Sequence, residues 1–302
     1  MTADLMDQHE NNLDLSDHSD SPSFDLADLS VGTVAFTSAL FLLLEIGGAL
    51  VMSGRLFPEL INRGLSGSLA VEAGIVVIEI ALITLLLGME RVHPVAAGLK
   101  FREIPRGLLI GTAIWGLCQL SLAVVALGRH GSLSLYVGWA EPAAMIAPLL
   151  RRFLTDVFAE EMFWRGILFI WILRQLDVRR WQDPLSRIGA ALLASQILFG
   201  LTRLPAQLLD GSVRMIPAGP ALVAFTVTGI FYALIYLRTK NIWLVMVVHT
   251  LSLWPLPLFT FELDPSKLVI LISAVLLIPT RRSQGSPPER RRGTSQPRLE
   301  RG

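Results

Sequence analysis

The chain has 302 residues, 52% of them hydrophobic and 17% charged, with a formal net charge of +1. A soluble domain is about 45–50% apolar and about 25% charged, so this composition excludes an ordinary soluble globular protein, and the balanced charge gives no signal for nucleic acid as a partner. The single cysteine, Cys118, excludes an intrachain disulfide and a paired-cysteine zinc motif.

Residues 1–30 are acidic and polar: Asp4, Asp7, Glu10, Asp14, Asp17, Asp20, Asp25 and Asp28, with no Lys or Arg. A secretory signal opens with a positive region ahead of its apolar segment, and this head has none. It reads as a disordered tail, too polar to bury the surface that would order it.

Eight apolar segments follow. They cover about Val31 to Met52, Leu69 to Met89 (carrying Glu72 and Glu79), Gly107 to Leu127, Glu141 to Leu173, Ile188 to Leu209, Met215 to Leu237, Ile242 to Phe259, and a short Leu268 to Pro279. A helix needs about 20 apolar residues to cross a bilayer. The expectation is an all-α polytopic membrane protein with about eight transmembrane helices, the central four forming a core. Residues 31–139 then hold the N-terminal transmembrane helices, 140–260 the core, 261–280 the last short membrane helix, and 281–302 a basic disordered tail.

Positive charge tests the topology, since cytoplasmic loops carry the excess of Lys and Arg. With the N-terminus inside, the inner loops hold Arg91, Lys100, Arg102, Arg106, Arg174, Arg179, Arg180, Arg187, Arg238 and Lys240, and the tail adds seven arginines from Arg281 to Arg301. The outer side holds Arg55, Arg63, Arg129, Arg151, Arg152, Arg214 and Lys267. This asymmetry predicts both termini in the cytoplasm. The polybasic tail suits contact with anionic lipid headgroups.

The stretch Ala159-Glu160-Glu161-Met162-Phe163-Trp164-Arg165-Gly166 puts three ionisable side chains in the middle of an apolar run. Charge in a membrane segment costs a few kcal/mol or more and marks a functional site by default; a structural ion pair between helices is the plain alternative. Four residues apart on a helix, Glu161 and Arg165 share a face. Glu160 is turned about 100° away and needs another partner. His249, inside Val245-Met246-Val247-Val248-His249-Thr250, is one candidate. Arg203, in Phe199-Gly200-Leu201-Thr202-Arg203, is the second.

These residues together resemble the CPBP family of intramembrane metalloproteases, which includes the type II CAAX prenyl endopeptidases and lysostaphin-resistance and bacteriocin-immunity relatives. Glu160-Glu161-x-x-x-Arg165 matches its E-E-x-x-x-R motif. Phe199 to Arg203 stands where the family has F-x-x-x-H, and His249 to Leu253 where it has H-x-x-x-N. The resemblance covers about Ala140 to Trp254. It implies Glu160 as the general base that activates water, Glu161 and Arg165 as residues that orient the motif helix, His249 as a ligand or hydrogen-bond donor, and Phe199 as packing for the site. It also implies zinc or another divalent metal, held by His249 and Glu160, if the chain is active, and an integral protein of the bacterial inner membrane.

Two motif positions differ. Arg203 replaces the histidine and Leu253 replaces the asparagine. Arginine stays protonated, so it is neither ligand nor base, but its fork can pair with a carboxylate. The expectation is that Arg203 reaches Glu160 and closes the cavity where metal and water would sit. Two functions stay open: a glutamate-dependent metallo-endopeptidase cutting a membrane or prenylated substrate, and an inactive relative that binds a membrane protein as chaperone, immunity factor or regulator.

Overall fold

The computed structural model describes residues 29–53, 58–61, 65–89, 93–154, 156–178, 183–209, 217–260 and 263–278. Nearly all of the acidic head and all of the basic tail lie outside these residues, as do Arg55, Arg63, Arg91, Arg179, Arg180 and Arg214 of the loops.

The described architecture is all-α. In chain order the helices are α1 (Val31–Met52), α2 (Leu65–Met89), α3 (Ile104–His130), α4 (Pro142–Leu154), α5, α6 (Pro184–Leu209), α7 (Ala218–Thr239), α8 (Ile242–Leu253) and α9 (Pro265–Ser273). Helix α5 is composite: an α-helical turn at Asp156–Glu160, a π-helical stretch at Glu161–Phe169 and an α-helical end at Ile170–Val178. No strand occurs among the described residues; Leu135 and Phe259 make an isolated antiparallel bridge between two loops.

Among the described residues, four helices have the length and apolarity to cross a bilayer: Val31–Val51, Phe101–His130, Pro184–Pro205 and Ala218–Thr239. Eight such segments were expected. Three others, Ala73–Met89, Ile242–Leu253 and Pro265–Leu277, are apolar but shorter. The expected fourth segment is described as helical over 142–154 and 156–178, with residue 155 between them outside the described residues; it contains Pro148, and Arg151 and Arg152 lie near the end of the first part. The seventh segment loses its second half because Trp254-Pro255-Leu256-Pro257 cannot continue a helix: each proline lacks an N–H, and the residue before it is pushed out of the α region.

Helix α8 sits at the centre. At about 1.5 Å per residue its 12 residues are too short for the hydrocarbon layer. They are apolar on nearly every side and almost wholly buried, as a helix enclosed by other helices must be. Its first turn is pinned. Leu244 N donates to Asn241 Oδ1 at 3.0 Å, and Asn241 Nδ2 donates to the Glu103 carbonyl at 3.0 Å. Helix α3 can lie directly on α8 because Gly107 and Gly111 present no side chain. A Cβ on Gly107 would stand 2.9 Å from Leu244 N, and one on Gly111 2.2 Å from Val247 Cγ1. Small residues four apart are a usual basis for close helix packing in membranes.

Helices α6 and α7 pack closely along their lengths, and α1 lies against α6 and α2. Phe41 of α1 stacks on Phe163 of α5, centroids 4.2 Å apart, and Trp171 Nε1 donates to the Leu29 carbonyl at 3.0 Å. These contacts make α1 one wall of the motif region.

Candidate functional site

The nine residues Glu161–Phe169 are all buried. A π-helical turn inserts an extra residue into the helix and is frequent at functional sites. Gly166 lets this stretch press on the loop before α3: a Cβ there would lie 2.3 Å from the Ala97 carbonyl oxygen.

Within that stretch Glu161 and Arg165 pair as their spacing predicts. Arg165 Nη1 donates to Glu161 Oε1 at 2.9 Å, and both side chains are fully buried. His249 of α8 places Nδ1 2.7 Å from the same oxygen. With the proton on Nδ1 the imidazole donates to Glu161 and keeps Nε2 as its basic nitrogen, the tautomer being set by this bond. His249 was one candidate partner for Glu160; the structure gives it to Glu161 instead. Angular offset along one helix does not say which neighbouring helix each side chain meets.

Glu160 pairs with Arg203 of α6, its Oε1 facing Nη2. The expected contact between these two side chains is therefore present. The ring of Phe199 carries both guanidinium groups, with Arg165 Cζ 4.3 Å and Arg203 Cζ 5.6 Å from its centroid. A cation over an aromatic face gains about 0.5–2 kcal/mol. That contact offsets part of the cost of Arg165 Nε and Nη2, which are buried without a hydrogen-bond partner. Phe199 thus packs the site as expected and also supports its charge.

Leu253 is not brought into this cluster. It is the last residue of α8 and 45% exposed. The polar residue beside His249 is Ser252, whose Oγ donates to the His249 carbonyl at 2.7 Å and meets the Tyr232 hydroxyl. The Tyr232 ring of α7 stacks on the imidazole at 4.5 Å. Sequence reasoning missed Tyr232, Ser252 and Glu45 of α1, whose Oε1 lies 3.6 Å from Arg203 Nη1. For Glu45 a signal existed: a carboxylate alone in a 22-residue apolar helix.

A hydrolytic zinc takes about three protein ligands and a water. The donors here do not fit one. Glu160 is covered by a guanidinium, Glu161 Oε1 already faces both Arg165 and His249, and a single imidazole is present in the cluster. Among the described residues, no group of three His, Cys, Asp or Glu side chains is placed to hold a metal. The proposed ligands Glu160 and His249 are each engaged with a different residue.

The family model described as type II CAAX prenyl endopeptidase Rce1-like matches residues 142–254, from the start of α4 to just past the end of α8. No curated protein and no solved structure matches the chain.

Proposed function

We propose that this integral membrane protein, whose residues 142–254 match the model of the Rce1-like type II CAAX prenyl endopeptidases, is a relative whose peptidase centre is held shut. The Arg203–Glu160 pair is the observation that carries the reading. A general base must hold a lone pair toward the water it deprotonates. The Arg203 guanidinium stands on the Glu160 carboxylate and takes the room a water or metal ligand needs. In this reading the protein binds a membrane protein or a prenylated peptide without cutting it. The chain then acts on that client as a chaperone, immunity factor or regulator. It sits in a bacterial inner membrane with both termini cytoplasmic, as the distribution of Arg and Lys suggests.

A second reading keeps hydrolysis of the peptide bond. The His249–Glu161 contact favours it, since this pair leaves an oriented imidazole with a basic Nε2 in the same cluster. The two readings part in a cleavage assay on the reconstituted protein with a farnesylated peptide. Wild type is expected to be silent. Arg203→His is expected to cleave, and to fall silent again with Glu160→Ala. Cleavage by wild type that Glu160→Ala abolishes overturns the closed-centre reading.

A further inference from the structure

Arg203 has a second carboxylate in reach, and it comes from outside the matched segment. Glu45 of α1 lies 3.6 Å from Nη1 while Nη2 stands on Glu160. The guanidinium fork therefore spans α1 and α5 with one prong toward each. The position of Glu45 is not loose. Phe41, one turn earlier, is locked in the stack on Phe163.

Two carboxylates share one guanidinium, and neither is saturated by it. A full arginine–carboxylate fork makes two parallel hydrogen bonds. Glu160 Oε2 is buried with no partner, and the Glu45 contact is longer than a hydrogen bond. Exposure grades across the cluster: the side chain of Glu160 is 3% exposed, that of Glu45 18% and that of Arg203 25%. Bringing Nη1 to hydrogen-bond length from Glu45 takes a shift of less than about 1 Å. Coulomb attraction falls only with the inverse of distance, so the cation stays paired throughout such a swing.

We propose that Glu45 is a positioning residue of this site, the second seat of the Arg203 guanidinium. On Glu160 the arginine closes the centre; drawn onto Glu45 it loosens its hold on Glu160. The proposal rests on reading the Arg203–Glu160 pair as the closure of a peptidase-type centre. It turns that closure from a fixed plug into a two-position one.

Coupling energies test it. Glu45→Gln, Glu160→Gln and Arg203→Gln are made singly and in every combination in the full chain, and the reversible unfolding constant is measured in detergent. Two competing seats predict that coupling between Glu45 and Arg203 is weak while Glu160 is present and rises about tenfold once Glu160 is Gln, within the range that neighbouring charges show. Coupling between Glu160 and Arg203 rises in the same way once Glu45 is Gln. A Glu45–Arg203 coupling that does not change with Glu160 overturns the two-seat proposal. Absence of any coupling between Glu160 and Arg203 instead overturns the closed-centre reading. A second measurement needs only the single variant: in an arginine-selective ¹⁵N spectrum, Glu45→Gln slows rotation of the Arg203 guanidinium by confining it to Glu160. Unchanged rotation overturns the proposal.

Discussion

The Arg203 guanidinium lies on the Glu160 carboxylate across the contact between α6 and α5, in a site where Glu160 is almost fully buried. Removing one member of such a pair leaves an uncompensated charge and costs about 3–5 kcal/mol, while replacing both with apolar residues is often neutral. Arg203→Leu is therefore expected to lower stability by about that amount, measured by reversible unfolding in detergent. The double variant Arg203→Leu with Glu160→Leu should recover most of it. A double variant as unstable as the single one would show that the two side chains do not act as a pair.

Much of this arrangement was legible in the sequence, for identifiable reasons. The Glu161–Arg165 pair follows from helical spacing, which the π-helical stretch alters too little to part them. Arg203 and His249 were found because they stand at fixed motif positions in a chain otherwise poor in charge. Helices α1, α3, α6 and α7 announce themselves as apolar runs of the right length. What stayed hidden depends on three-dimensional neighbours. Nothing local tells that His249 meets Glu161, that Tyr232 from α7 covers the imidazole, or that Glu45 from the first helix joins Arg203.

Tyr232 supports His249 in two separable ways, by its ring on the imidazole and by its hydroxyl on Ser252. Tyr232→Phe keeps the ring and removes one hydrogen bond. It should cost about 1 kcal/mol, because Ser252 keeps its bond to the His249 carbonyl. Tyr232→Ala removes the ring and leaves a cavity beside a buried histidine, at about 3–5 kcal/mol. Unfolding midpoints of the two variants give the comparison. Equal losses would mean that the stack on His249 carries no weight.

Gly166 is the close contact between α5 and the loop before α3. An added Cβ would meet the Ala97 carbonyl, backbone against backbone, at 2.3 Å. No side-chain rotation relieves that. Gly166→Ala should destabilise by at least about 1–3 kcal/mol, the usual cost of overpacking, although alanine is the better helix former. A Gly166→Ala protein with an unchanged or raised melting temperature would refute the contact. Gly116 of α3, with nothing within 4 Å of its Cβ position, is the control: Gly116→Ala should be neutral or slightly stabilising by about 0.4–1 kcal/mol.

At the start of α6, outside the apolar span, Asp183 caps the helix. Its carboxylate accepts from Ser186 N at 3.0 Å and Leu185 N at 3.4 Å, and Pro184 takes the first helical position, where no N–H is needed. The Ser186 backbone bond, then its hydroxyl, hold the Asp183 carboxyl below the ordinary aspartate range; the Leu185 amide adds to this. The sign follows. A carboxylate whose folded pKa is depressed stabilises above the unfolded pKa, and that contribution is lost as the pH falls through the folded value. The cap should therefore hold from neutrality down to about pH 4 and fail below it. Asp183 is exposed, so the effect is confined to fraying of the first turn rather than to global unfolding. Hydrogen exchange of the peptide covering residues 184–190, corrected for intrinsic rates, should accelerate below that pH in wild type. In Asp183→Asn, which caps without titrating, the dependence should vanish. The same acid dependence in both proteins would show that another group opens the turn.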